Sequence, residues 1–164
     1  MKTYAAFMTL IAELEGDLVE LGRAEDLNTR AWERIQAGGQ DPLDWAALGY
    51  TLHSIYGIME NYFLRISKFF ENSLPPHKWH KELVDRMALT IPEIRPAFFE
   101  TADEHRRVGE MMKFRHRFRN LYGEDLDPRK TAEIQEIGRQ VLRDFPRRHE
   151  AFVAKLRLIA EAIR

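Results

Sequence analysis

The chain contains no cysteine. That excludes a disulfide framework, a thiolate nucleophile and a Cys-ligated zinc site, and it suits a reducing cytosol. A long uninterrupted apolar run is also missing. Glu13, Glu15 and Asp17 follow soon after the N-terminal segment, and the most apolar stretch, Trp45 to Ile66, is interrupted by His53, Glu60, Asn61 and Arg65. Neither a signal peptide nor a membrane span is expected, and a cytoplasmic protein is. Net charge is nearly absent, −1 over 164 residues, so the whole molecule lacks the basic field of most nucleic-acid-binding proteins. Ser54, Ser67 and Ser73 sit in no Gly-x-Ser-x-Gly setting and no glycine-rich phosphate loop occurs, which excludes serine-hydrolase and nucleotide-kinase chemistry. No helix-turn-helix signal precedes the basic helix discussed below. None of the six histidines has a glutamate three residues before it, so the Glu-x-x-His pattern of carboxylate di-metal bundles is missing. His77 and His80 have ligand spacing but no accompanying carboxylates, and neither a metal site nor a cofactor is expected. His80, beside Trp79, reads as a loop or packing residue, and His53 as a polar residue on an apolar helix.

Apolar residues make up 45% of the chain and charged residues 31%, a globular composition. The length suits one domain over residues 1–164 with a real core. Phe7, Leu10, Ile11, Leu14, Leu18 and Leu21 recur at helical spacing, predicting a first helix from about Tyr4 to Gln36 that ends at Gly38-Gly39. Asp41-Pro42 predicts the next start, a capping carboxylate followed by a residue that needs no N–H donor. From there Leu48, Leu52, Ile55, Met59, Tyr62, Ile66 and Phe69 alternate steps of four and three, and Tyr56, Phe63 and Phe70 widen the stripe. So broad a stripe needs partners on more than one side, either as a central bundle helix or against a second subunit.

Pro75-Pro76 breaks the pattern, and Trp79 to Leu89 reads as a short helix. Thr101 and Glu104 form a capping box for a helix from about Ala102 to Tyr122, ending at Gly123. Asp127-Pro128 opens the last helical region, which Pro146 should kink or split. Phe152, Leu156, Ile159 and Ile163 mark its buried face, and Arg147-Arg148-His149 reads as a small surface cluster. Nothing reads as a strand. The expected fold is all-α, an antiparallel up-and-down bundle of four long helices plus one short one.

Basic residues gather locally: Arg106, Arg107, Lys113, Arg115, Arg117 and Arg119 stand against Glu110 alone. Residues 115–122 read Arg-His-Arg-Phe-Arg-Asn-Leu-Tyr. Arginine offers a planar fork matched to phosphate, histidine exchanges a proton near neutral pH, and tyrosine adds a hydroxyl on a rigid body. On an ideal helix Arg119 lies about 40° and Tyr122 about 20° from Arg115, so the three share a face. His116 and Asn120 form a second pair at i and i+4.

Arg115, four intervening residues, then Asn120-Leu121-Tyr122 resembles the Arg-x4-His-x-Tyr signature of HEPN ribonucleases, in particular the HepT-like toxins. Trp79-His80-Lys81 with Met87, Ile94-Arg95-Pro96-Ala97, and Phe114-Arg115-His116 leading to Tyr122-Gly123 and Leu126-Asp127 fit the same pattern over roughly Trp45 to Phe152. The resemblance implies a homodimeric helical bundle that cleaves RNA without a metal and is silenced when a partner nucleotidyltransferase antitoxin attaches AMP to the motif tyrosine. Carried onto this chain, it makes Arg115, His116 and Asn120 the catalytic positions, with Arg119 and Arg117 as further phosphate-binding candidates and Tyr122 as the AMP acceptor. Asn120 stands where the pattern has histidine, and an amide cannot accept a proton at neutral pH. Three readings remain open: His116 substitutes as the base, catalysis is slow, or the protein binds without cutting.

Overall fold

A computed structural model describes residues 2–121 and 124–164. Five helices follow one another: α1 (Tyr4–Gln36), α2 (Pro42–Phe70), α3 (Trp79–Met87), α4 (Ala102–Arg119) and α5 (Pro128–Ala162). Among the described residues no strand forms, so the fold is the expected all-α bundle of four long helices and one short one. No helix among them is long and apolar enough to cross a membrane.

The predicted caps set most of the helix starts. Asp41 Oδ1 accepts from the backbone N–H groups of Leu43 and Asp44, and Asp44 Oδ2 accepts in return from the Asp41 N–H, closing a box ahead of Pro42. Thr101 and Glu104 form the second box, and Asp127 accepts from the Lys130 N–H. Each satisfies donors that a helix start leaves orphaned. Gly38, at φ +105°, follows the end of α1 in a backbone region that glycine enters without strain.

The wide apolar stripe is answered within the chain. Helix α2 packs against all four other helices, and its seam from Leu48 to Ile66 is buried, together with Tyr56 and Phe63. Tyr62 and Phe63 meet Phe98 and Phe145 edge-on or tilted, geometry favoured by aromatic quadrupoles.

Four expectations are corrected. First, α4 stops at Arg119, because Asn120 Nδ2 donates to the His116 carbonyl at 2.7 Å while the Asn120 N–H turns back to Arg117. The side chain thus takes a carbonyl that a further turn would have used. Second, Pro146 does not split α5, which is one helix on both sides of it. Packing on both sides carries it past the missing N–H: Phe145 enters the aromatic core, Arg148 pairs with Glu100 and Glu104, and His149 Nδ1 lies 3.0 Å from the Tyr62 hydroxyl. Third, Arg148 and His149 are therefore buried rather than surface residues, and only Arg147 of that trio is exposed. Fourth, Ile163 caps the end of α5 in solvent instead of joining its buried face.

Candidate functional site

A cleft of about 360 Å³ opens between α2, the start of α3 and the C-terminal half of α4. Helix α2 contributes Tyr56 and Glu60, one turn apart; Lys78, His80 and Lys81 come from the start of α3; Met112, Arg115, His116 and Arg119 come from α4. The α4 residues recur at steps of three and four, so one helical face supplies them all.

Glu60 organises the floor. It is only 5% exposed, and each of its oxygens has a partner: Oε1 accepts from Arg115 Nη1 at 3.0 Å, and Oε2 lies 2.7 Å from His80 Nδ1. A buried carboxylate is tolerated because it is paired in this way. The Arg115 guanidinium also lies over the Tyr56 ring, 5.8 Å from its centroid, an attractive cation–π placement. Arg115 nevertheless keeps donors in reserve, since among the described residues Nη1 bonds Glu60 alone and Nη2 bonds nothing, while its Nε is buried without a partner against α2. The Tyr56 hydroxyl is likewise buried and unpartnered, and burial, with the Glu60 charge beside it, pushes its pKa up from the ordinary value. His53, against the Phe118 ring, is held below the usual histidine value, first by burial and then by the Arg115 and Arg119 charges.

The basic helix is less free than its sequence reads. Arg106 and Arg107 pair with Asp103, Arg107 also approaches Asp144, Lys113 pairs with Glu110, and Arg115 takes Glu60. Among the described residues Arg117 and Arg119 form no ion pair. Arg115, His116 and Arg119 do come together, the latter two exposed at the cleft rim. Arg117 is exposed but does not line the cleft, as its position about 200° round α4 from Arg115 requires. Asn120 lies beyond the last turn, its carboxamide occupied by the His116 carbonyl, and it does not line the cleft either. Tyr122, the candidate AMP acceptor, lies outside the described residues.

Sequence reasoning gave Glu60 and Lys78 no role, and it took His80, which lines the cleft, for a loop or packing residue. One signal was available: a carboxylate set in the α2 apolar seam needs a charged partner from elsewhere. The partner's identity was not legible, because Arg115 lies 55 residues away. Taken together, four cations and two histidines surround a single carboxylate, so the cleft suits an anion with several oxygens.

The family of HepT-like proteins matches residues 47–156, a span that contains every residue of the cleft. No curated protein and no solved structure matches the chain.

Proposed function

From the premise that the chain belongs to the HepT-like protein family, we propose that it is the toxin of a HEPN toxin–antitoxin pair, a metal-independent endoribonuclease whose working site is the Arg115 cleft. The observation that carries this reading is the half-used guanidinium of Arg115, held in place at the cleft by a single hydrogen bond from Nη1 to Glu60, among further cations and histidines. Such a group binds a scissile phosphate and stabilises the charge that builds on it. Lys78 and Arg119 extend the grip along the RNA backbone, and His116 handles a proton at the rim. Two copies of the chain bring two such clefts together in a homodimer. A nucleotidyltransferase antitoxin silences the protein by attaching AMP to Tyr122, which adds a negative phosphate and a bulky nucleoside close to the end of α4.

The test is incubation of the purified chain with total RNA in the presence of chelator, beside Arg115→Ala. The wild type should yield discrete cuts, and the variant should lose about 100-fold or more in rate with its helical circular dichroism unchanged. Undiminished cutting by Arg115→Ala removes the assignment.

One observation favours a second reading, in which the chain binds RNA without cutting it. The Asn120 carboxamide is engaged in ending α4 and cannot take a proton. Under that reading the wild type retains RNA without cleavage, and Asn120→His creates the activity.

A further inference from the structure

Glu60 holds two groups in the cleft, and the ribonuclease reading above uses only Arg115. The other is His80. Its ring is fixed twice, by Glu60 Oε2 at 2.7 Å from Nδ1 and by stacking on Trp79 with centroids 3.7 Å apart and planes 27° from parallel. Lys78, in the left-handed backbone region at φ 59°, turns the chain into α3 and so places Trp79 and His80 in its first turn. A carboxylate only accepts, so the hydrogen facing Glu60 sits on Nδ1. That leaves Nε2 as the nitrogen open to a ligand, and it makes no hydrogen bond among the described residues. The ring itself lines the cleft beside Arg115 and His116. A histidine whose Nδ1–H is held by a buried carboxylate, with its other nitrogen open to a ligand, is an oriented proton acceptor.

We propose that His80 is the proton acceptor of this cleft and that Glu60 is its positioning residue. The proposal rests on the ribonuclease reading and deepens it. Cleavage by an internal 2′-hydroxyl moves two protons, so one histidine is not enough. As O2′ bonds to phosphorus, its proton passes to His80 Nε2. The P–O5′ bond breaks, and protonated His116 gives its proton to O5′. The products are a 2′,3′-cyclic phosphate and a 5′-hydroxyl, with one proton taken up and one released. Arg115 meets the charge on the non-bridging oxygens throughout. The charged and titratable groups facing His80 are Glu60 and Tyr56 from α2, Arg115, His116 and Arg119 from α4, and Lys78 and Lys81 beside it.

The experiment is single-turnover cleavage, by the full chain, of a short RNA spanning the main cut found in total RNA. It is made once with the natural 5′-oxygen and once with sulfur in that place, because a thiolate leaves without needing a proton. His80→Gln should slow both substrates by about 100-fold or more. His116→Gln should slow only the oxygen substrate and return to within about threefold of wild type on sulfur. Glu60→Gln should lose less than His80→Gln and shift the acidic limb of the pH–rate profile, which a purely structural role would leave in place. The proposal is overturned by His80→Gln cutting at the wild-type rate, by its rescue with sulfur, or by a lost rate that thermal unfolding accounts for. If that happens while Arg115→Ala is inactive, His80 alone is rejected. Absence of any cut by the wild type rejects the ribonuclease reading with it.

Discussion

Arg95 and Arg115 are both drawn out of solvent beside a glutamate, yet their guanidiniums are used differently. Arg95 Nε and Nη2 both reach Glu71 Oε1, at 3.0 and 2.6 Å, and the remaining donors go to the carbonyls of Arg86, Leu89 and Pro96. Its side chain has no exposure at all. It ties the segment between α3 and α4 to the end of α2, and no donor is left for a ligand. Arg115 makes one hydrogen bond among the described residues, from Nη1 to Glu60, and lines a cleft with Nη2 unbonded. Burial of an arginine therefore does not reveal its role. What separates the two is whether the protein itself has satisfied every N–H.

The largest expected effect follows from the saturated member. Arg95→Ala should lower stability by about 3–5 kcal/mol, because it leaves Glu71 and three carbonyls without their cation. Urea denaturation measures this, and RNA cutting per folded molecule should be unchanged. Arg115→Ala should cost less, about 1.5–3 kcal/mol, because it removes one charge-assisted bond and the contact with Tyr56 but leaves Glu60 its His80 partner, while cutting is lost. Equal losses of stability in the two variants would break the comparison.

Gly49→Ala probes whether the open member depends on distant packing. A Cβ there would lie 2.5 Å from Leu126 Cδ1 and 2.9 Å from Phe118 Cε2. Both are side-chain ends that can give way, at a cost of about 1–3 kcal/mol. Phe118 sits between Arg115 and Arg119 on α4, so cutting should weaken along with stability. Loss of stability with wild-type cutting would show that the cleft is insulated from that packing.

Acidification tests the structural side of the divide. Burial holds His149 below the usual histidine value of 6.5, and His53 is lowered in the same way. The unfolded chain then binds the proton first. Stability from these groups is complete above about pH 6.5 and falls as the pH drops towards the depressed folded values, by about 1.4 kcal/mol for every tenfold difference in proton affinity between the unfolded and folded chains. The melting temperature should fall between pH 7 and pH 5, and less so in His149→Leu. A melting temperature that rises on acidification contradicts this assignment.

Smallest of all is Asn120→His. Since Asn120 ends α4 and does not line the cleft, cutting should change by no more than about threefold. A rise of about 100-fold would instead favour the binding-only reading.

The helices were legible in the sequence because their causes are local. Asp41-Pro42, Thr101 with Glu104, and Asp127-Pro128 each cap a helix through residues two or three positions away, and the α2 stripe carries its own period. Arg115, His116 and Arg119 were legible as one face for the same reason. Arg148 and His149 were misread because their burial depends on Glu100, Glu104 and Tyr62, which sequence spacing does not bring near. The basic run of α4 was overread because Asp103, Asp144 and Glu60 neutralise part of it, and two of these three belong to other helices.

By itself, the sequence determined that the chain forms helices, where most of them begin, and which face of α4 carries arginine. These follow from capping, periodicity and propensity, whose range is one or two turns. Only the tertiary structure decided that Glu60 would grip Arg115 and His80 together, that Asn120 would end a helix instead of lining a cleft, and that Arg95 would be saturated while Arg115 stayed open. Those outcomes depend on which donors and acceptors meet across helices once water is excluded, and desolvation makes every unmatched pairing costly.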